Sequence, residues 1–420
     1  MKDLCRDLLC YIFQYLKDRD RFLASFVCLC WRRGLPVKKR IDCSDFADRL
    51  ELVQWARANK VPWNEYTCYE AARYGKLDVL QWAQDNGCPW NFDLTFAAAK
   101  NNHINILKWA IEKGFQGSDS TAYYAGKNNS RDMLELCVKN ENLSLEAFKG
   151  AVEASNLDLM IYIMSKYNIR RDTDVLCSAA MYGLLDIIKW LISQSWEYDI
   201  KLSCTAARFG HLDILKWIKD NNYNMSVSTG KQAALKGHLD IVKWLADNYT
   251  GILTNDIAGC FAYSGNLQAL KWLKEINHPV SNVDVCSYAA SNGHFPILKW
   301  AKEQGLPLDK NTFYEAIFHG DVSIAKWLYE NDCSLDKNNQ YISQYAACSD
   351  NLEMIKYILE IGCDWNDIVY IEASRNGNMD IIQWAYNQGY PWHTNTISTA
   401  RFNGNLDIAH WARAHGCPES

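Results

Sequence analysis

The chain repeats one pattern with a period of about 27 residues, and a fixed period of this size limits the fold more than any other feature. The pattern is clearest at residues 210–217, which read Gly-His-Leu-Asp-Ile-Leu-Lys-Trp. Its last position returns in 14 copies, of which 11 keep Trp. These positions are Trp55, Trp82, Trp109, Leu136, Tyr162, Trp190, Trp217, Trp244, Trp272, Trp300, Trp327, Tyr357, Trp384 and Trp411. Such a period indicates a solenoid in which each unit packs on its neighbours, an architecture typical of binding proteins.

Charge and hydropathy exclude several classes of partner. The 420 residues carry a formal charge of −5, which gives no general attraction to nucleic acid or to an anionic membrane. No apolar run approaches the ~20 residues that a membrane span needs, and the charged start at Lys2, Asp3 and Arg6 does not resemble a signal peptide. We therefore expect a soluble, cytoplasmic monomer that binds neither nucleic acid nor membrane.

The 16 cysteines follow the repeat rather than a disulfide pattern. Four of them share the position just after the second helix of a unit: Cys88, Cys333, Cys363 and Cys417. No Cys-x-x-Cys pair is present, so the sequence predicts no zinc site and no other cofactor. Buried free cysteine behaves as a small apolar residue, and we expect reduced, structural thiols.

Each unit reads as helix, tight turn, helix, tight turn. The first turn holds Gly in nine units and Asn, Asp or Ser in the others, which predicts a left-handed cap such as Gly75 at the end of the first helix. An Ala, such as Ala206, stands at one fixed position before the Trp in 12 of the 13 complete units and allows close helix approach. His211, His238 and His294 follow the Gly position and are interpreted as caps of the second helix. Because neighbouring copies of this position lie about 27 residues apart along the array, they predict no metal site.

The Trp column has two interpretations. Exposed Trp rings stack on sugars or bases, whereas Trp at one helical position beside apolar neighbours forms core between repeats. The recurring apolar neighbours, as in Ile214-Leu215 before Trp217, favour packing. The sequence also shows no nucleophile beside a base, no phosphate-binding loop and no carboxylate pair in a closed pocket. We therefore expect a protein without enzymatic activity.

The repeat resembles a short-form ankyrin repeat of the kind found in giant DNA viruses and protists. Residues 210–218, Gly-His-Leu-Asp-Ile-Leu-Lys-Trp-Ile, are similar to that family's second helix, and Gly87-Cys88-Pro89-Trp90-Asn91 to its closing turn. The resemblance implies an all-α helical solenoid of helix-turn-helix repeats with short loops, in which the usual β-hairpin finger is trimmed. It also implies that a partner meets varied first-helix residues on the concave face. These candidates are Arg73, Tyr74, Tyr182, Arg208, Phe209, Phe318, His319, Arg375 and Asn376.

The N-terminal segment, residues 1–40, breaks the repeat. Residues 4–32 resemble an F-box in the spacing of their Leu-Leu, Ile-Phe and Val-Cys-x-x-Trp positions, with Cys5 where that family has Pro. The resemblance implies docking on the Skp-type adaptor of SCF-type cullin-RING ubiquitin ligases through a helix-in-groove contact. The residues concerned are Leu4, Leu8, Leu9, Ile12, Phe13, Leu16, Val27, Cys28 and Trp31. The alternative is an apolar cap that covers the first repeat.

These observations predict two domains, an F-box-like module at 1–40 and an ankyrin-like array of about 14 units at 41–420. The expected function is that of a substrate receptor, which holds an unidentified target protein for a ligase, in the host cytoplasm if the chain is viral. The alternative is a scaffold or decoy with no ligase connection. Units between 102 and 162 lose first the Gly and then the Trp. The sequence leaves open whether they mark a bend, a binding site or drift.

Overall fold

The computed structural model describes residues 42–418 apart from 91–92, 140, 168, 281–283, 334, 336–338 and 340. These residues form 27 α-helices and one short 3₁₀ turn, Cys43–Phe46, and contain no β-strand. The helical fold class expected from the repeat is confirmed. The described residues divide into two compact units, one up to Asp199 and the other from Ile200.

The described part of the first unit holds six second helices and five first helices, one of which is longer than the others. Their bounds are α1 Leu50–Ala58, α2 Glu65–Arg73, α3 Leu77–Asp85, α4 Asp93–Lys100, α5 Ile104–Glu112, α6 Asp119–Lys127, α7 Arg131–Cys137, α8 Glu141–Glu153, α9 Leu157–Lys166, α10 Thr173–Met181 and α11 Leu185–Ser193. After α1, even numbers are first helices and odd numbers are second helices. Each first helix packs on the next first helix and on its own partner, as α2 does on α4 and α3.

The second unit has the same order through eight helix pairs in the part that the structure describes. Their bounds are α12 Lys201–Phe209, α13 Leu212–Asp220, α14 Thr229–Leu235, α15 Leu239–Asn248, α16 Ile257–Tyr263, α17 Leu267–Glu275, α18 Asp284–Ser291, α19 Phe295–Glu303, α20 Lys310–His319, α21 Val322–Glu330, α22 Ile342–Cys348, α23 Leu352–Glu360, α24 Ile368–Asn376, α25 Met379–Asn387, α26 Thr396–Phe402 and α27 Leu406–Ala414. Even numbers again mark first helices.

The turn between the two helices of a repeat has the predicted left-handed backbone. Gly210 ends α12 with φ 86°, and the non-Gly substitutes keep positive φ, as Asn102 does at 61° and Ser155 at 53°. Next to each turn, small side chains such as Ala206 and Ala207 are fully buried. The structure therefore confirms both sequence signals, a left-handed cap and close approach of neighbouring first helices.

The Trp column lies at the edge of the core rather than inside it. Trp109 and Trp300 are buried and the other described Trp residues of the column are half-buried, whereas the neighbours Ile214, Leu215 and Ile218 are fully buried. Lysines of the preceding repeat lie near several of the half-buried rings: Lys219 Nζ is 6.0 Å from the ring centroid of Trp244, Lys243 is 5.6 Å from Trp272 and Lys302 is 5.9 Å from Trp327. The expectation of packing is thus only partly correct, because aliphatic residues form the centre and Trp with Lys closes its outer rim.

The residue after the turn Gly connects consecutive repeats. The Nε2 atom of His238 lies 3.2 Å from the carbonyl oxygen of Arg208, and that of His294 lies 3.0 Å from the carbonyl oxygen of Tyr263. Neither side chain caps its own second helix. Asn266 does both, since its amide donates to the Gly237 carbonyl at 2.9 Å and its Oδ1 accepts from the backbone N–H of Ala269. We call these residues inter-repeat clamps; bonds of this kind are made by His103, His238, Asn266, His294, Asn351, Asn378 and Asn405.

The three histidines thus occupy the predicted N-cap positions of their second helices, but none of their side chains makes a cap bond. The side chains of His238 and His294 contact the preceding repeat instead. His211 lies at the N-cap position of α13 without a side-chain cap bond. The imidazole rings of the clamps reach back to the preceding repeat and cover its turn glycine: a Cβ atom on Gly210 would lie 2.8 Å from Cε1 of His238. At Gly75, Gly210 and Gly265 the glycine thus meets two requirements, a left-handed backbone and room for a ring.

The repeats between residues 102 and 162 keep the two-helix arrangement, but their first helices pack against each other differently. A Cβ atom on Gly126 of α6 would lie 1.9 Å from the carbonyl oxygen of Ala147, and one on Gly150 of α8 would lie 2.0 Å from that of Tyr123. Only hydrogen at these two Cα atoms allows the backbones to touch. The loss of Gly and Trp from the repeat pattern in this region accompanies a close helix contact made by glycines that the repeat pattern does not include.

Candidate protein-interaction surface

The first helices of the repeats present a face of varied side chains. In these helices the small residues point to the neighbouring helices, the column position of Arg73 is exposed or half-buried, and that of Glu70 is half-buried in most repeats. We call this surface the first-helix face. It carries most of the exposed aromatic residues of the described chain: Tyr66, Tyr74, Tyr182, Phe209, Tyr263, Tyr288, Phe318, Tyr341 and Phe402. Exposed aromatic residues on a surface rimmed by charge are typical of contact sites.

All nine array residues selected from the sequence are exposed. Phe318 has 53% of its surface accessible and Phe209 has 44%. Some of them interact with each other or with a neighbouring repeat. The Arg73 guanidinium lies 5.5 Å from the ring centroid of Tyr74, and His319 covers Gly293 of the preceding repeat. Exposure meets a condition for partner contact, and their role in binding stays a prediction.

Two arginines of the set are neutralised within the chain. Arg73 donates to Glu70 at 2.9 Å, and Arg375 forms an ion pair with Glu372, each one turn earlier on the same helix. The Glu372 carboxylate is buried, and it also accepts from Nε2 of Gln344 at 3.2 Å. These pairs hold the guanidinium groups against the helix surface, so that their outer edge remains available to a partner.

The first unit places a second group of cations beside aromatic rings. Lys100 Nζ lies 5.5 Å from the Phe96 ring centroid and 5.9 Å from that of Tyr124. On the next repeat Lys127 pairs with Glu153 and lies 5.8 Å from the Tyr123 ring. Burial and a bond to Glu153 raise the pKa of Tyr182 on a later repeat of the same unit. Lys127 is thus neutralised inside the chain, and Lys100 lies close to two aromatic rings.

One cleft opens on the first-helix face of the second unit. It has a volume of about 340 Å³ and is lined by Asn311, Tyr314, Glu315 and Phe318 of α20 and by Tyr345 of α22. The four residues of α20 follow i, i+3, i+4 and i+7 spacing and so share one side of that helix. The ring centroids of Tyr314 and Tyr345 are 5.9 Å apart across the junction of the two repeats.

Phe318 is the one residue of this cleft among the candidates taken from the sequence, and the other four were missed. Tyr314 and Glu315 precede Phe318 by one helical turn, so that helical spacing from Phe318 could have found them. Tyr345 comes from the next repeat, at the column position occupied by Glu315 in its own repeat. An alignment of the repeats by their Trp column places Glu315 and Tyr345 at the same position of consecutive repeats.

The described residues include no group of three or more side chains suited to a metal ion. The 12 described cysteines are thiols, and nine of them are buried. Burial raises the pKa of Cys260 to about 11 and that of Cys286 to about 12, so these thiols stay protonated at neutral pH. Such thiols pack in the core, and they lack the ionised sulfur that a nucleophile or a metal ligand needs.

The adaptor-binding residues predicted between Leu4 and Trp31 lie outside the described residues. Within the described part, no helix is both long enough and apolar enough to cross a bilayer.

Comparison with known proteins supports both parts of the sequence interpretation. A family model for the F-box domain matches residues 1–33, and a model for ankyrin repeats matches three copies over residues 286–369. The search of curated proteins gave no match.

Among solved structures, the chain is similar to the pentatricopeptide repeat protein PPR10. PPR10 in complex with an 18-nt psaJ RNA element has 12% identity and a TM-score of 0.27, with 99% of this chain and 83% of that chain covered. PPR10 from maize gives the same identity and TM-score over 96% of this chain and 77% of its own. A likeness this distant supports no conclusion about ligand. The F-box and the ankyrin repeats are interaction modules, and together they support a protein-interaction adaptor.

Proposed function

We propose that the chain is a substrate receptor of an SCF-type ubiquitin ligase. In this proposal residues 1–40 bind a Skp-type adaptor, and the array at 41–420 holds a target protein through its first-helix face. The observation that carries the proposal is the joint match to an F-box domain at residues 1–33 and to ankyrin repeats at 286–369. The chain itself performs no chemistry in this role and acts in the cytoplasm as a monomer.

The varied first-helix face supports the target-binding part. The second helices repeat Asp, Lys and Trp with little change, whereas the first-helix face differs from repeat to repeat in charge and in aromatic content. A repeated surface serves packing, and a varied surface of exposed Arg and aromatic residues suits recognition of one partner.

The adaptor part is tested by a pull-down with purified Skp-type adaptor. Wild type and I12A/F13A are compared, because a helix-in-groove contact depends on a few apolar anchors. We expect the double substitution to lower the adaptor's affinity at least about 30-fold, the effect of losing anchors worth about 2 kcal/mol or more. The matched control is I276A/F402A, which removes the same residue types from exposed positions on the array.

Equal retention by wild type and I12A/F13A would contradict the adaptor contact. Absence of adaptor binding by wild type would favour the alternative, an ankyrin-repeat scaffold or decoy in which the N-terminal segment only covers the first repeat.

A further inference from the structure

A Glu in one column of the first helices forms an ion pair in two repeats and lacks one in a third. Glu70 and Glu372 occupy the same position relative to the Trp column and pair with Arg73 and Arg375, one turn later. In α20 the same two positions hold Glu315 and Phe318. The ring thus replaces the arginine that neutralises the carboxylate elsewhere.

The Glu315 side chain has no hydrogen-bond or ion-pair partner among the residues that the structure describes. It is half-buried and lines the cleft between α20 and α22. A carboxylate that is partly withdrawn from water gains more from a cation than a fully exposed one does, because solvent screens it less.

Three aromatic residues line the same cleft as this carboxylate. Tyr314 and Phe318 belong to its own helix, and Tyr345 comes from the next repeat. The faces of such rings carry partial negative charge and attract a cation placed over them. The Asn311 amide adds a polar group at the rim of the same cleft. Carboxylate, rings and amide together form a site for an organic cation.

We propose that this cleft binds an arginine side chain of the target protein. The inference rests on the target-binding part of the proposed function and is independent of the adaptor contact. A guanidinium group is planar, stacks on aromatic faces and matches a carboxylate with two N–H donors, whereas an ammonium group does only part of this. The chain uses the same chemistry internally, since the Arg57 guanidinium lies 4.0 Å from the Trp63 ring centroid. At Glu315 the ligand supplies the arginine that Glu70 and Glu372 receive from their own helix.

Saturation-transfer NMR on the full chain tests the site with three probes: N-acetyl-arginine methylamide, its neutral isostere N-acetyl-citrulline methylamide, and N-acetyl-lysine methylamide. The arginine probe is expected to bind about 3- to 30-fold more tightly than the citrulline probe, the range that a cation over a ring corresponds to. The lysine probe is expected to fall between them. Equal affinity for arginine and citrulline, or tighter binding of lysine, would overturn the proposal.

Three variants assign the selectivity to this cleft. E315Q should remove the preference for arginine over citrulline, because it removes the charge and keeps the shape. F318R should weaken the arginine probe at least about 5-fold, because it restores within α20 the ion pair seen in the other two repeats. The matched control E303Q alters an exposed carboxylate at the end of α19 and should leave probe binding unchanged.

An unchanged arginine preference in E315Q would contradict the proposal even if every variant folds, which circular dichroism establishes separately. The outcome does not depend on the ligase: failure of the adaptor pull-down together with arginine selectivity here would remove only the ligase part of the proposed function. Adaptor binding without arginine selectivity would remove only this inference.

Discussion

The contact between α6 and α8 in the first unit and that between α12 and α14 in the second unit both join first helices of successive repeats. The two contacts are packed differently. Between α12 and α14, alanines fill the contact and the hydroxyls of Ser203 and Thr229 lie 3.0 Å apart. Between α6 and α8, Gly126 and Gly150 bring each helix against a backbone carbonyl of the other. Both arrangements bury the junction of two repeats, the first with side chains and the second with main chain.

This difference shows that the repeats between residues 102 and 162 are structurally specialised. In these repeats Leu136 replaces the Trp and Asn129 replaces the turn Gly. The same region contains a closer helix contact, which requires glycine at Gly126 and Gly150. Sequence drift alone would leave a contact packed with alanines, as between α12 and α14, and would not create a closer approach of the two backbones. The close glycine contact therefore argues against drift alone, one of the three explanations that the sequence left open.

The most disruptive change to this contact is a methyl group at its centre. In G126A or G150A the new Cβ atom would lie about 2 Å from a carbonyl oxygen, and no flexible side chain can move to relieve it. We expect the opening free energy of α6 and α8, measured by hydrogen exchange of their amides, to fall by about 3 kcal/mol or more.

G259A is the control for this prediction. Gly259 also lies within a first helix, α16, but its Cβ would lie 3.0 Å from the ring of Tyr288, a side chain that is 44% exposed, and at an ordinary contact distance of 3.5 Å from the Cβ of Asp284. Since the ring can turn and Ala favours helix by up to about 1 kcal/mol, this variant should be neutral or stabilising. Equal losses in G126A and G259A would mean that the two regions do not differ in the way described.

A smaller effect is expected when the hydroxyl contact of the second unit is removed. T229V keeps the shape of a fully buried side chain and deletes its bond to Ser203. Local stability of α12 and α14 should fall by about 1 kcal/mol, the net value of one such bond. T205V is the comparison, because its hydroxyl only bonds the Lys201 carbonyl of its own helix at a half-buried position. A loss in T205V as large as in T229V would show that the contact between repeats has no special weight.

The smallest effect is expected on the first-helix face. Arg208 and Phe209 are exposed at the end of α12, so R208E/F209A should keep full helicity and change the opening free energy by no more than about 0.5 kcal/mol. Circular dichroism and hydrogen exchange measure both. Loss of helicity would place these residues in the packing of the repeat and would remove them from the candidate contact set.

Features encoded within one repeat could be predicted from the sequence. The left-handed turn at Gly210 needs only local backbone conformation, and burial of Ala206 follows from its recurrence at one helical position. The F-box and ankyrin resemblances were likewise carried by local spacing, and the family models match both.

Features that depend on the distance between repeats could not be predicted. His238 occupies a cap position by sequence, and only the three-dimensional offset of the repeats brings its Nε2 to the Arg208 carbonyl. The half-buried state of Trp217 has the same origin, since periodicity reports which side of a helix a residue occupies and not how far the next repeat extends over it. The cleft at Glu315 also needs a residue from the following repeat.

The inter-repeat clamps all point in one direction along the chain. In each, the side chain belongs to the later repeat and its carbonyl partner to the earlier one, as with Asn405 and Ser374 or Asn351 and Gly320. A ribosome delivers the carbonyl first. Each newly emerged repeat then brings its clamp side chain to a carbonyl group that is already in place. The array can therefore form repeat by repeat during synthesis, without waiting for residues still to be translated.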